Sequence, residues 1–207
     1  MRYTYDLNGN VKTIKDSLNQ VTTLTYDALD RLVQSKDPLG GVTKFEYDLG
    51  DRVTKVTAPT SRVTTFVYDG FGQLWAQNSP DTGSTTFEYN AAGQQTKMTR
   101  AGGGVTTYAY DGLGRITGIT AGGQTQGFTY DTCTNGKGRL CTVTDPTGSV
   151  SYTYSPQGQL TKQVSAMPAS GGATHTYAYD NMGRLSGIGY PGGLAVGYGY
   201  AYGKLRR

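Results

Sequence analysis

Val63-Thr64-Thr65-Phe66-Val67-Tyr68-Asp69-Gly70-Phe71-Gly72-Gln73-Leu74-Trp75 reads as a strand, a turn and the start of a return strand. Thr, Val and aromatic residues fill the first half, the types that fit a pleated surface. Asp69 then opens a turn, where its short carboxylate can accept a bond from a backbone N–H two residues on. Gly72 stands where a type I turn needs a left-handed residue to rejoin the strand, a conformation glycine adopts without a steric penalty. Leu74 leads the chain out.

The same phrase recurs along the whole chain. Its anchor tyrosines are Tyr5, Tyr26, Tyr47, Tyr68, Tyr89, Tyr110, Tyr130, Tyr154, Tyr179 and Tyr200, separated by 21, 21, 21, 21, 21, 20, 24, 25 and 21 residues. A fixed period near 21 means stacked copies of one supersecondary unit. Turn clusters such as Asp37-Pro38-Leu39-Gly40-Gly41 and Ala101-Gly102-Gly103-Gly104 fall between the hairpins at one phase of the period. Each period therefore holds two strands and two turns. The expected fold is all-β: tandem hairpins in one curved antiparallel sheet of about twenty strands, a single array over residues 1–207 that is incomplete at both ends.

The strand before each turn has unequal faces. Two residues upstream of the anchors stand Tyr3, Leu24, Phe45, Phe66, Phe87, Tyr108, Phe128, Tyr152, Tyr177 and Tyr198. Side chains two apart share a face. With return-strand residues such as Val11, Leu32, Val53 and Leu74 they predict an aromatic–aliphatic ladder. A second apolar position recurs three residues after the first (Ile14, Val56, Met98, Ile119, Val143, Ile188). Three breaks the alternation, so either a bulge intervenes or both faces are partly covered. Seventeen tyrosines against one histidine and one tryptophan suggest half-buried rings with solvated hydroxyls.

Charge and composition exclude several classes. The net charge is +4, and the bases are scattered, with no run longer than Arg206-Arg207. That pattern fits solvated strands and turns and gives no nucleic-acid footprint. No apolar segment approaches the roughly 20 residues of a membrane span. Met1-Arg2-Tyr3-Thr4-Tyr5-Asp6 begins inside a repeat and carries no signal peptide. The other end, Tyr202-Gly203-Lys204-Leu205-Arg206-Arg207, also stops inside one, and neither end offers the cap that a solenoid needs. The expectation is a piece of something longer.

Tyr110-Asp111-Gly112-Leu113-Gly114-Arg115-Ile116 and Tyr179-Asp180-Asn181-Met182-Gly183-Arg184-Leu185 resemble the YD repeat of the Rhs family. That family includes polymorphic toxins, wall-associated proteins, the C component of insecticidal toxin complexes and the teneurins. The resemblance covers essentially the whole chain and implies a broad sheet spiralling into a hollow β-shell, which in the bacterial toxins encloses a C-terminal toxic domain. The residues that carry the motif are Tyr26, Asp27, Tyr47, Asp48, Tyr68, Asp69, Gly72, Tyr110, Asp111, Gly114, Arg115, Tyr179, Asp180, Gly183 and Arg184. There are departures: Asn90 and Ser155 replace the aspartate, Asp30 and Asp51 the turn glycine, and Gln73, Gln94 and Gln159 the arginine. Asp tolerates left-handed backbone better than most residues, so the turns at Asp30 and Asp51 stay plausible. The glutamines weaken any claim that the arginine performs chemistry. Asp37-Pro38-Leu39-Gly40 and Asp145-Pro146-Thr147-Gly148 match the Asp-Pro-x-Gly motif of the toxins' core by letter only and read as plain turns.

Candidate catalytic groups fare poorly. His175 is the only histidine and shares the phase of Tyr177 and Tyr179, and no Gly-x-Ser-x-Gly elbow marks a nucleophile. Asp6, Asp27, Asp48, Asp69, Asp111, Asp131 and Asp180 fall one per turn, whereas calcium needs six to eight converging oxygens. No cofactor, metal or enzymatic activity is expected. Cys133 and Cys141 flank a slightly longer turn. If the hairpin reverses near Lys137 they occupy facing strands, and a disulfide is feasible where the Cα atoms come within about 4.4–6.8 Å; free thiols are the alternative. The leading function is a structural segment of an encapsulating shell that encloses or escorts a toxin domain during export. The expected partners are the remainder of a larger Rhs-type protein and self-association of the isolated chain, with secretion or cell-surface display as part of that protein. The alternative is a module binding carbohydrate or a cell-surface ligand through exposed tyrosines.

Overall fold

A computed structural model describes residues 1–168, 171–201 and 203–205. Tyr202 and the terminal pair Arg206-Arg207 lie outside the described residues. The chain divides into two compact units, residues 1–105 and 106–207. The described residues contain no α-helix, and the one helical element is a 3-10 turn at Pro191–Gly193.

The first unit holds β1 (Arg2–Tyr5), β2 (Val11–Lys15), β3 (Val21–Tyr26), β4 (Leu32–Lys36), β5 (Val42–Tyr47), β6 (Val53–Thr57), β7 (Val63–Tyr68), β8 (Leu74–Ser79), β9 (Gly83–Tyr89) and β10 (Gln95–Arg100). Each pairs antiparallel with its neighbour in the chain. The second unit repeats the plan with β11 (Val105–Tyr110), β12 (Ile116–Ala121), β13 (Gln124–Tyr130), β14 (Leu140–Asp145), β15 (Gly148–Tyr154), β16 (Leu160–Met167), β17 (Gly171–Tyr179), β18 (Leu185–Gly189) and β19 (Ala195–Gly197). These too form an antiparallel meander. A short hairpin of β20 (Tyr200–Ala201) and β21 (Lys204–Leu205) follows.

A bulge accounts for the spacing of three. Tyr68 faces Leu74, but Val67 faces Ala76, so Trp75 is an extra residue in the return strand. The register slips at the same step in the other hairpins, leaving Lys12, Val33, Thr54, Thr96, Thr117, Thr161 and Ser186 unpaired. Beyond the bulge the alternation resumes with reversed phase. Phe45 therefore faces Val56, Phe87 faces Met98, and Tyr108 faces Ile119. Where the extra residue is threonine its hydroxyl can return to the strand: Thr54, Thr96 and Thr161 donate to the carbonyls of Glu46, Glu88 and Thr153 at 3.3, 3.2 and 3.0 Å.

The ladder is half-buried. Among the described residues only Ala76, Thr106, Gly136 and Cys141 are buried. The opposite face carries cross-strand pairs such as Glu46–Lys55 and Glu88–Lys97, each at 2.8 Å. Stability in such a chain comes from backbone ladders and from contacts between successive hairpins, which directs attention to the repeated motif.

Candidate functional site

The Asp48 turn shows how the motif is built. The Asp48 N–H donates to the Arg52 carbonyl at 3.0 Å, and its own carbonyl accepts from Asp51 at 3.3 Å. Oδ1 accepts from the N–H groups of Gly50 and Arg52 at 2.8 and 3.0 Å. Four backbone groups that a tight reversal would strand are thus satisfied by one residue. Oδ2 faces the other way and accepts from Arg52 Nε at 2.7 Å. The guanidinium so fixed lies over the ring of Tyr68, its Cζ 4.9 Å from the centroid. Tyr68 in turn donates its hydroxyl to the carbonyl of Val53, the residue after Arg52, at 2.9 Å. Aspartate holds arginine, arginine covers the next repeat's tyrosine, and that tyrosine bonds back to the strand leaving the aspartate turn. The motif is a clamp between consecutive hairpins.

The clamp recurs. Tyr26, Tyr47, Tyr89, Tyr130, Tyr154, Tyr179 and Tyr200 donate to the carbonyls of Val11, Leu32, Leu74, Ile116, Leu140, Leu160 and Leu185 at 2.7–3.0 Å. Arg31 covers Tyr47 at 4.9 Å, and Arg115 and Arg184 cover Tyr130 and Tyr200 at 4.3 Å. Arg139 stands over Tyr154 at 5.7 Å. Asp27, Asp111 and Asp180 hold Arg31, Arg115 and Arg184 through Nε at 2.8, 2.7 and 2.7 Å. Solvated tyrosine hydroxyls are therefore corrected: every anchor ring just named uses its hydroxyl on a backbone acceptor in the preceding repeat. Tyr110 pairs with Ile116 across its own hairpin.

The charges respond to this setting. Backbone donation from the arginine four residues on, reinforced by its guanidinium, holds Asp27, Asp48 and Asp111 below the usual carboxylate range. The Arg184 guanidinium and backbone do the same for Asp180. Arg115, bonded to Asp131 and Asp111 together, is held still more firmly in its charged form.

The turn residues fall where the reversal needs them. Gly72, Gly114 and Gly183 have φ of +83°, +81° and +77°. Asp30 and Asp51 adopt φ of 59° and 60°. What the sequence reading missed is why they are aspartates. Asp30 Oδ1 accepts from the side chains of Asn8 and Asn10 at 2.8 and 2.6 Å, and Asp51 Oδ1 from Arg31 at 2.7 Å. A residue 20 to 22 positions earlier is the partner, so the local sequence carried no signal. Gln159 reaches the Gly183 carbonyl at 2.9 Å, keeping one inter-repeat bond without the guanidinium.

Asp37 makes the same turn bonds as Asp48, to Leu39 and Gly41 at 2.9 and 2.8 Å. His175 stands edge-on to Tyr190 with ring centroids 5.7 Å apart. Among the described residues no three His, Cys, Asp or Glu side chains converge as metal ligands would. Cys133 and Cys141 form a disulfide with Cα atoms 5.3 Å apart. The placement on facing strands needs correction. β13 ends at Tyr130, so Cys133 sits in the enlarged connecting loop, while Cys141 occupies the bulge position and is buried.

The RHS Repeat family matches residues 5–42, 29–63, 47–83, 68–105, 89–126 and 135–166, well over half of the chain. The chain belongs to the RHS repeat family. No curated protein matches it by sequence. Among solved structures it is similar to the crystal structure of TcdB2-TccC3-Cdc42, with a TM-score of 0.68 and 15% identity over 88% of this chain. The crystal structure of TcdB2-TccC3 without its hypervariable C-terminal region gives 0.60 and 13% over 97%. The Photorhabdus luminescens Tc holotoxin pore gives 0.60 and 15% over 88%. At that identity the likeness is one of fold. This RHS repeat chain spans 12%, 16% and 13% of the lengths of those three. Among the described residues no helix is long and apolar enough to cross a membrane.

Proposed function

We propose that these 207 residues are one array of about ten RHS repeats, a wall segment of a larger exported protein that encloses or escorts a toxin domain. The observation that carries the reading is the clamp. Tyr, Asp and Arg, the residues that define the repeat, bind each hairpin to the next, as Asp48, Arg52, Tyr68 and Val53 do. A motif directed to its own neighbours builds wall; it leaves no side chain in common aimed at a substrate. The half-buried single layer fits a wall whose faces meet other material, and the fold shared with the TcdB2-TccC3 structures supports the same reading. The role is structural and not enzymatic: His175→Ala should leave any measured hydrolysis unchanged, and a turnover abolished by that substitution would refute it.

The deciding experiment is to obtain the reading frame surrounding this segment and express the whole product. A frame that continues into further repeats and a variable C-terminal domain, protected from protease until the wall is opened, is the expected result. A frame with no such domain, or a domain digested as readily as when free, would overturn the proposal.

A further inference from the structure

We propose that the Cys133–Cys141 disulfide is a redox latch that holds the enlarged turn against the next repeat and frees it when reduced. At this turn the ordinary clamp is slack. Asp131 gives its carboxylate to Arg115 of the preceding repeat, Oδ1 and Oδ2 accepting at 3.3 and 2.6 Å. Arg139 donates instead to the Lys137 carbonyl of its own loop at 3.0 Å. Its Cζ stands 5.7 Å from the Tyr154 centroid, the longest of the five guanidinium–ring distances given above.

The loop supplies the missing hold. The Tyr154 N–H donates to the Thr134 carbonyl at 3.2 Å, and Asn135 Nδ2 donates to the Tyr154 carbonyl at 2.8 Å. Thr134 and Asn135 directly follow Cys133, so the crosslink sets where they sit. Cys141 is the fixed end, buried in the bulge of β14. Gly136 closes over the bond, where a Cβ would overlap both sulfurs. Little else keeps this shape. Asp131, Asn135 and Gly138 sit at positive φ of 69°, 53° and 75°. A loop with two glycines has many other conformations to enter, and two hydrogen bonds are a weak counterweight.

The chemistry is thiol–disulfide exchange with a dithiol reductant. Cys133 is partly exposed and Cys141 is not, so the attacking thiolate meets the Cys133 sulfur. The Cys133–Cys141 bond breaks, a mixed disulfide forms on Cys133, and Cys141 leaves as a thiolate. Its Sγ already accepts the Cys133 N–H at 2.9 Å. The reductant's second thiol then displaces Cys133. Two electrons and two protons pass to the protein, and the dithiol departs as its own disulfide. Disulfides persist in oxidising surroundings and yield to the thiols of the cytosol. For the exported wall proposed above, and resting on that reading, the seam is shut in transit and eased in a reducing compartment.

The test is amide hydrogen exchange of the intact chain, oxidised and then reduced with dithiothreitol, at several low urea concentrations. It needs no toxin domain, so its failure is separable from failure of the wall, which the surrounding reading frame decides. Reduction should speed exchange at the Tyr154 N–H at least about tenfold more than at Ser151, midway along β15. The Tyr154 route should be insensitive to urea, as a local opening is, while Ser151 stays urea-dependent. Reoxidation should restore protection. Cys133→Ser with Cys141→Ser should match the reduced chain without reductant. Asn135→Asp tolerates the left-handed backbone but lacks the donor, and should open Tyr154 in the oxidised chain. Equal acceleration at the two amides would make the disulfide a general staple and overturn the latch. So would an unchanged Tyr154, a bond that millimolar dithiothreitol cannot reduce, or an Asn135→Asp that exchanges like the parent.

Discussion

Tyr68 carries two contributions that can be separated by substitution. Tyr68→Phe removes only the hydroxyl, leaving the Val53 carbonyl beside the bulge without its 2.9 Å donor, and should cost about 1 kcal/mol. Tyr68→Ala also removes a half-buried ring and its guanidinium cover. It should cost about 3 kcal/mol, the low end of the range for large aromatics because the ring is not fully enclosed. Denaturant midpoints measure both; equal values for the two variants would refute the clamp. The aspartates give a pH test. Asp27, Asp48, Asp111 and Asp180 have lowered values in the folded chain. Their contribution is full above the unfolded carboxylate value of about 3.9 and is lost as pH falls through the folded one. Stability should therefore drop on acidification below about pH 4, and Asp48→Asn should flatten part of that drop. The turn role of these aspartates was legible, because an Asx turn is written in neighbouring residues. The hydroxyl's acceptor was not. It is a backbone carbonyl mostly 15 residues earlier, and any residue type supplies one.

The hairpin is the unit in which most of the fold could be read. Period, turn phase and strand faces all follow from local composition, and the apolar spacing of three already contained the bulge. The bulge could not be chosen over a two-sided sheet from the pattern alone, since both place apolar residues at that interval. Cross-strand register decides it, with Trp75 and Thr54 left over. The turn itself is the weak point of the element. Gly72→Val would force a β-branched residue to φ +83° and bring its Cβ to 2.7 Å from the Arg52 guanidinium. A left-handed non-glycine residue costs roughly 1–2 kcal/mol, and the displaced clamp adds to it, so the unfolding midpoint should fall clearly. The enlarged turn of the second unit has its own fastening. Cys133–Cys141 closes a short loop with a separation of 8 residues. Loop closure of that length contributes about 2–3 kcal/mol, so reductant should lower the midpoint while Cys133→Ser, Cys141→Ser with reductant should show no further drop. The longer spacing signalled an insertion but not which cysteine would leave its strand.

At the scale of the whole molecule, a chain held together by contacts between successive hairpins is vulnerable where a hairpin has none. Within these 207 residues the anchor tyrosine Tyr5 is 60% exposed. β1 pairs with β2 on one side, and all four of its residues are exposed. An unpaired strand edge is a template for another chain, and β1 contains neither proline nor lysine to discourage it. These 207 residues produced on their own should therefore associate through β1, two copies pairing their edges antiparallel, so that each β1 gains a second partner as β2–β9 have. Mass from light scattering should rise with concentration. Tyr3→Lys, which places a charge on that edge without touching a clamp, should lower the mass towards the monomer. A monomeric mass at every concentration would refute edge pairing. Association unchanged by Tyr3→Lys would move it to the half-buried aromatic face, where Phe45, Phe66 and Phe87 present the same ladder in each repeat.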